Sequence, residues 1–236
     1  MSFLRAYVLA MLSISLVAGL QHVPTSFVLI GDSTTANGTT PNSGGWGNGL
    51  CGSELRGNIP SVIPGTPCIN TAHNGATTGT FVLQHLSRRH PNRSTQGAAH
   101  ARDAAIWAQR PEDRTARVDG EPVLITSLTR RSFNVEDGTV ADTLGPWADE
   151  TILIAQQEDT PPAGSTPSFY PIQAIGPDAA HGLNRLPDDN THLNVNGTTV
   201  FGCMVADLLV ASFPSELPIV PNPPLTFNIT HGIPSF

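Results

Sequence analysis

Two short, unbroken apolar runs in the chain predict buried strands. The first covers residues 26–30 and the second residues 122–128, and polar residues follow each of them. A continuous apolar run of this length is typical of a parallel strand that is covered on both faces. The two runs therefore indicate a sheet with other elements packed on either side.

Helical spacing follows the second strand and returns near the C-terminus. Residues 142–158 are predicted to form one helix, and residues 198–213 a second. The second has apolar side chains at the spacing of one buried helical face, namely Val200, Phe201, Met204, Val205, Leu208 and Leu209. Strands that alternate with helices predict an α/β fold with a parallel sheet covered on both faces.

Composition and charge narrow the class of protein. The chain has 236 residues, of which 39% are hydrophobic and 13% charged, so it supplies a large core and is not a disordered chain. Its 12 basic residues are all Arg, and the net charge is -7. Nucleic acid and anionic membranes attract positively charged surfaces, so neither is an expected partner, whereas a neutral polymer remains compatible.

The N-terminus and the sequons indicate secretion. Residues 1–20 place one Arg before an apolar stretch that ends in small residues, which is typical of a signal peptide; a membrane anchor needs a longer apolar stretch. Sequons for N-glycosylation begin at Asn37, Asn92, Asn196 and Asn228. We therefore expect a secreted, extracellular glycoprotein.

The three cysteines fit an oxidising compartment. Cys51 and Cys68 are close enough in sequence to close a short loop, whereas Cys203 lies in an apolar run and is expected to be a buried free thiol. The chain has no C-x-x-C or H-E-x-x-H motif, and its His residues are scattered. We predict no metal site.

Ser33 follows the first strand directly, at the position where open α/β sheets carry their functional groups. Gly31-Asp32-Ser33 could equally be a plain turn. A serine nucleophile needs a His and an acid, and both Asp178/His181 and Asp189/His192 have the D-x-x-H spacing. Spacing alone does not choose between them, but the predicted loop position of Asp189 and His192 favours the second pair.

Five sequence blocks together resemble one enzyme superfamily. They are FVLIGDSTTA at 27–36, GGWG at 44–47, NTAHNGAT at 70–77, SLTRRSF at 127–133 and LPDDNTHLN at 186–194. In this order they look like the SGNH (GDSL-type) hydrolases, and most like the rhamnogalacturonan acetylesterase group of carbohydrate esterases. The resemblance covers about residues 26–83 and 122–213.

The resemblance implies a fold and a set of roles. The fold is a flavodoxin-like three-layer α/β/α sandwich with a central parallel sheet. Ser33 would be the nucleophile, His192 the general base and then acid, and Asp189 the residue that orients the imidazole. The backbone N–H groups of Ser33 and Gly75, together with a side-chain amide from a Gly-x-Asn-Asp block, would form the oxyanion hole. The chemistry requires no cofactor.

Two further residues are predicted to contact substrate. Arg130 and Arg131 follow a strand end, and we assign Arg130 to the cleft, although hydrogen bonding to loop carbonyls is an alternative. Trp46 would be a platform for a sugar ring, with packing beneath the Ser33 loop as the other interpretation.

One block of the family pattern is missing. The Gly-x-Asn-Asp block should lie between Gly75 and Val123, yet Asn92 is the one Asn there. The gap coincides with residues 84–121, which hold seven of the 12 Arg. Either the chain has diverged and lost one oxyanion donor, or the gene has been misread in this segment. A missing central strand would also leave sheet edges exposed.

These observations predict a secreted serine esterase that removes O-acetyl groups from plant cell-wall polysaccharide, specifically the rhamnogalacturonan of pectin. The alternatives are an inactive or impaired SGNH-like carbohydrate-binding protein and a lipase or general carboxylesterase. We expect a signal peptide over 1–20, an esterase domain over 21–213 with 84–121 atypical, and an irregular Pro-rich tail over 214–236. The expected partner is the acetylated polysaccharide, and the expected state is a monomer without membrane attachment after signal cleavage.

Overall fold

The computed structural model describes residues 26–52, 60–77, 104–109, 120–157, 162–163 and 169–235. The predicted signal peptide over 1–20, the sequon at Asn92 and most of the segment 84–121 lie outside the described residues. The described part is a mixed α/β fold, in which a small sheet combines with several helices.

Five described strands form one sheet in the order β2-β1-β3-β4-β5. They are β1 (Ser26–Ile30), β2 (Cys68–Asn70), β3 (Ala104–Gln109), β4 (Gly120–Ile125) and β5 (Pro162–Ala163). The strand predicted at 26–30 is confirmed. The strand predicted at 122–128 is confirmed in part, because it begins and ends earlier, at Gly120 and Ile125.

The sheet is mixed, so the prediction of a parallel sheet is wrong for its central strand. β1 pairs with β2 and β4 with β5 in parallel, but β3 is antiparallel to both β1 and β4. Ten residues separate β3 from β4, and a parallel crossover needs about a dozen or more, so an antiparallel pairing is the accessible one. β3 comes from the atypical segment 84–121 and lies between β1 and β4. The edges of β1 and β4 that a missing central strand would leave exposed are therefore paired with β3.

Five helices lie in the described residues, and two of them confirm predicted helices. They are α1 (Trp46–Cys51), α2 (Gly145–Gln157), α3 (Phe169–His181), α4 (Val195–Ser212) and α5 (Pro223–Thr230). α2 corresponds to the helix predicted over 142–158, and α4 to that over 198–213. α4 begins three residues early because the Asn194 side chain caps it, accepting a hydrogen bond of 2.8 Å from the N–H of Gly197.

α4 is the central helix of the core. Its side chains contribute Phe201 and Leu209, both fully buried, to the same cluster as Phe27 and Leu29 of β1. The helix is long and apolar enough to span a membrane, but 56% of it is buried inside the protein, as in the core helix of a globular domain.

A glycine contact brings α1 and α4 together. A Cβ added to Gly49 of α1 would lie 2.0 Å from the carbonyl oxygen of Thr198, so no larger residue fits without moving the helices apart. The close approach of α1 to α4 therefore depends on Gly49, and it fixes the helix that follows the Ser33 turn against the core.

The C-terminal tail contains a helix, so the prediction of an irregular surface segment over 214–236 is wrong. α5 begins with two prolines at its first positions, where a missing N–H costs nothing, and Asn222 caps it. Thr226 donates a hydrogen bond of 2.9 Å to Asp207 of α4, and Ile219 and Ile229 are buried in the core. The prolines were thus a start signal for a helix that packs on α4.

The predicted cysteine pairing is confirmed. A disulfide joins Cys51, at the end of α1, to Cys68, at the start of β2, and Cys203 is a buried free thiol. Burial raises the pKa of Cys203 to about 11, and the charge of Asp207 adds to this effect, so the thiol stays protonated at neutral pH.

We predict that the Cys51→Ser/Cys68→Ser variant loses about 3 kcal/mol of unfolding free energy, because the disulfide closes a loop of 17 residues. Urea unfolding of the secreted protein, with and without a reductant, measures the loss. The matched control is Cys203→Ala, which keeps the disulfide and should still be destabilised by the reductant. Equal stability of the double variant and the wild type would contradict the prediction.

Candidate active site

Ser33 lies on a tight turn at the carboxyl end of β1. The side chain of Asp32 accepts hydrogen bonds of 2.8 Å from both the N–H and the hydroxyl of Thr34, and the Asp32 carbonyl accepts from Thr35 and Ala36. Asp32 therefore closes the turn and leaves Ser33 at its apex. The turn carries its serine towards solvent rather than into the core.

The structure brings Ser33, His192 and Asp189 together in one chain of hydrogen bonds. Oγ of Ser33 lies 3.0 Å from Nε2 of His192, and Nδ1 of His192 lies 2.9 Å from Oδ2 of Asp189. A carboxylate only accepts hydrogen bonds, so Nδ1 carries the proton and Nε2 is free to accept the serine hydroxyl. This is the arrangement that activates a serine nucleophile.

The loop that carries His192 is fixed at both ends. The backbone N–H of His192 donates to Oδ1 of Asp189 at 3.0 Å, and the carbonyl oxygen of His192 accepts from the N–H of Arg185. The backbone of Leu193 pairs in antiparallel fashion with Gly44 and with Asn184, and Asn194 caps α4. The imidazole is thus held at a defined distance from the Ser33 turn.

The pKa of Asp189 is lowered by its contacts with this loop. Partial burial acts in the opposite direction and is the largest single influence. The hydrogen bonds from the backbone and side chain of His192, the charge of His192 and the N–H of Thr191 together outweigh it. Asp189 therefore stays ionised, in the form that holds the imidazole, at a pH below its ordinary pKa.

The competing pair, Asp178 and His181, lies elsewhere. Nε2 of His181 is 3.0 Å from the carbonyl oxygen of Arg131, and its ring meets Phe133 edge-on at 5.8 Å. Asp178 is exposed on α3. Between the two D-x-x-H pairs, the structure places the second, Asp189 with His192, beside the serine.

Arg131 is a fully buried cation beneath the His192 loop. Its Nε donates to Oδ1 of Asn184 and its Nη2 to the carbonyl oxygen of His192, both at 2.8 Å, while the guanidinium lies 5.7 Å from the ring centre of Phe201. Burial lowers the pKa of Arg131 to about 10, although the charge of Asp189 acts against this. Arg131 remains charged at neutral pH and joins the segment after β4 to the His192 loop.

A cavity of about 250 Å³ opens beside the serine. Its lining comes from the segments 33–44, 74–75 and 185–193 and includes Ser33, Gly75 and His192. Gly75 takes a φ of +72° in a turn closed by a hydrogen bond from Ala76 to His73, a conformation that favours glycine. Within the described residues, the N–H groups of Ser33 and Gly75 make no hydrogen bond, so both are available to a ligand.

Two predicted substrate contacts do not lie in this cavity. Trp46 is 2% exposed and packs in the core beneath the Ser33 turn, so it cannot stack on a sugar, and that assignment is wrong. Arg130 is directed towards Thr143, with Nη1 at 3.5 Å from the hydroxyl, and does not line the cavity. Arg185, which sequence reasoning missed, is the arginine that lines it.

Sequence reasoning also missed the residues that support the His192 loop. Asn184 is buried, accepts from Arg131 and donates a hydrogen bond of 2.9 Å to Asn190. Polar residues in a loop give no signal of burial, so nothing in the sequence distinguished Asn184. Among the residues that the structure describes, no group of three His, Cys, Asp or Glu side chains is placed to hold a metal ion.

No protein-family model matches the chain, and no curated protein matches it. Among solved structures, the chain is similar to the crystal structure of protein YxiM from Bacillus subtilis, with a TM-score of 0.56 and 16% identity. The similarity covers 80% of this chain and 56% of YxiM, so the chain spans little more than half the length of that protein. At this identity the likeness shows a related α/β fold and nothing about activity.

We predict that Arg131→Met costs on the order of 3 kcal/mol of unfolding free energy, because it leaves the buried oxygen of Asn184 without its charged donor and removes one of the two donors to the carbonyl oxygen of His192. Urea unfolding measures the change. Arg130→Met, the neighbouring half-buried arginine with one long contact, is the matched control and should lose less. Equal losses in the two variants would show that Arg131 does not support the loop.

We also predict that Asp189 adds a pH-dependent contribution to stability. Because folding lowers its pKa, the contribution is fully present above the ordinary value of about 4 and is lost as the pH falls through the lower folded value. The difference in melting temperature between the wild type and Asp189→Asn should therefore be larger at pH 6 than at pH 3. A difference that grows on acidification would contradict this sign.

Proposed function

We propose that the protein is a secreted serine esterase of the SGNH type that removes O-acetyl groups from the rhamnogalacturonan of plant cell walls. The observation that carries the proposal is the hydrogen-bond chain from Ser33 through His192 to Asp189. The resemblance of the five sequence blocks to the SGNH hydrolases supports the proposed enzyme family. We further propose that the α/β fold is the three-layer α/β/α sandwich of this superfamily, with β3 in the position of its missing parallel strand.

In the first half of the reaction, the hydroxyl of Ser33 attacks the acetyl carbonyl. Nε2 of His192 takes the serine proton, and the carbonyl π electrons move to oxygen to give a tetrahedral oxyanion. The N–H groups of Ser33 and Gly75 face this oxyanion as hydrogen-bond donors. When the tetrahedral intermediate collapses, the sugar oxygen leaves with the proton from His192, and the acetyl group stays on Ser33.

In the second half, water releases the acetyl group. His192 removes a proton from the water as it attacks the acetyl-serine, and the same proton returns to Oγ of Ser33 when acetate leaves. Asp189 stabilises the imidazolium in both halves, and its lowered pKa keeps it ionised for this role. No step requires a metal or an organic cofactor.

The cavity supports a short acyl group. Among the described residues that line it, most are polar or glycine, and the apolar side chains are those of Ala36 and Leu193. A long acyl chain gains binding energy by burying its methylenes against apolar walls, which these two side chains supply poorly. An acetyl ester on a polar carrier fits the lining better than a lipid does.

One observation favours a second candidate, an SGNH-like carbohydrate-binding protein with impaired or no activity. The family's oxyanion amide has no counterpart between Gly75 and Val123. Loss of one oxyanion donor costs about 10²–10³ in turnover, so the two backbone donors alone would leave slow hydrolysis. The two candidates therefore differ in rate rather than in binding.

We predict that the wild type, secreted from a eukaryotic host, releases acetate from acetylated rhamnogalacturonan and that Ser33→Ala loses roughly 10⁴-fold or more of this rate. His192→Gln should lose a similar factor. The matched control is His181→Gln, which alters the other D-x-x-H pair and should keep most of the activity.

Three results would count against the esterase. A soluble wild type that binds the polysaccharide without releasing acetate would favour the binding protein, and faster hydrolysis of long acyl esters would favour a lipase. Equal activity in Ser33→Ala would exclude the serine mechanism.

An Asn37→Gln variant should accompany these assays, because Asn37 begins a sequon on the cavity wall and a glycan there would hinder the access of a polymer.

A further inference from the structure

The cavity beside Ser33 has a marked charge asymmetry. Among the described residues that line it, Arg185 is the one arginine, no Asp or Glu is present, and His192 is the one other titratable side chain. Asp189 lies behind His192 and its side chain is 17% exposed. An anionic group that enters the cavity would therefore meet a cation, and no opposing carboxylate from the described part of the wall.

Arg185 is tethered close to the catalytic histidine while its side chain remains accessible. Its backbone N–H donates to the carbonyl oxygen of His192 at 3.0 Å, which fixes the main chain. Its side chain is 40% exposed. A carboxylate held by this guanidinium would thus lie within the same cavity as the ester under attack.

Most hydrogen-bond donors of the Arg185 guanidinium are unused within the described residues. One nitrogen, Nη2, lies 3.4 Å from Oδ2 of Asp189, a long contact for a charged pair. Arginine carries five N–H donors in a planar fork that matches a carboxylate with two parallel hydrogen bonds. Within the described residues, its other side-chain N–H groups make no hydrogen bond, so the fork can bind a second carboxylate without leaving Asp189.

We propose that Arg185 is a specificity-determining residue, which binds a substrate carboxylate next to the acetyl ester and so selects acetylated uronic acid residues over neutral acetylated sugars. This inference rests on the proposed esterase function and names the group that its substrate must carry. It also explains why a chain of net charge -7 can act on an acidic polymer: the charge that matters is the local one.

The same contact has another interpretation, which the test must separate. Arg185 touches the oxygen of Asp189 that also bonds His192, so it can act as a positioning residue for the catalytic pair. A positioning role would change the turnover of every acetyl ester alike. A carboxylate-binding role changes KM, and only for substrates that carry the charge.

The experiment measures acetate release from two substrates that differ at the carboxyl group alone: an O-acetylated galacturonate oligosaccharide with a free carboxylate, and the same oligosaccharide as its methyl ester. We expect the wild type to have the higher kcat/KM on the free acid, and Arg185→Gln to lose that preference by about ten- to a hundredfold, mainly through KM. Arg185→Lys keeps the charge without the fork and should retain part of it. The methyl ester is the internal control: a loss shared by both substrates measures the contact of Arg185 with Asp189, and the additional loss on the free acid measures carboxylate binding.

A binding measurement keeps this proposal separate from the esterase. Calorimetry on the full chain with Ser33→Ala, with and without Arg185→Gln, should show tighter binding of the free acid that the second substitution removes. If acetate release fails but this difference persists, the esterase is wrong and the carboxylate site stands. If the wild type has no preference for the acid, or Arg185→Gln slows both substrates equally, the proposed role of Arg185 is overturned.

Discussion

The buried guanidinium of Arg131 is the interaction on which the site depends. It joins the end of β4 to the loop of Asp189 and His192, and it does so through a carbonyl and an amide rather than a direct ion pair. A buried cation is costly unless its donors are used, and Asn184 and the carbonyl oxygen of His192 satisfy two of them, Nε and Nη2, so this loop must stay in place. The position of the imidazole is therefore set by the core, and the serine meets it from the opposite side on the turn after β1.

The central strand, β3, shows how a sheet accommodates a segment of atypical composition. The segment 84–121 differs in composition from the rest of the chain, yet β3 within it pairs along its full length with β4 and from Ala105 to Gln109 with β1. Backbone hydrogen bonding is independent of side-chain identity and available in either direction, so an antiparallel strand can close a gap between two parallel ones. The pairing leaves β1 and β4 in the relative direction that presents Ser33 and Arg131 at the same edge of the sheet.

The predictable parts of the molecule were those with a local signal. Apolar runs identified β1 and part of β4, apolar spacing identified α2 and α4, and the short separation of Cys51 and Cys68 identified the disulfide. The direction of β3 depends on the length of its connection, and the helix in the tail depends on packing against α4, so neither has a local signal. Arg130 and Arg131 are adjacent and chemically identical, and only the fold decides which of them is buried.

In the proposed reaction, the rate depends on how the oxyanion is held without the side-chain amide that the sequence resemblance implies. The two backbone donors are geometrically constrained, Ser33 by the Asp32 turn and Gly75 by its positive φ. Preorganised donors of this kind need no reorganisation during the reaction, which is why they contribute more than mobile ones. Two side-chain amides, of Asn37 and Asn74, also line the cavity, but both residues are exposed, and fixing an exposed side chain on the oxyanion costs conformational entropy. In the proposed mechanism, the N–H groups of Ser33 and Gly75 therefore supply the larger part of the oxyanion stabilisation.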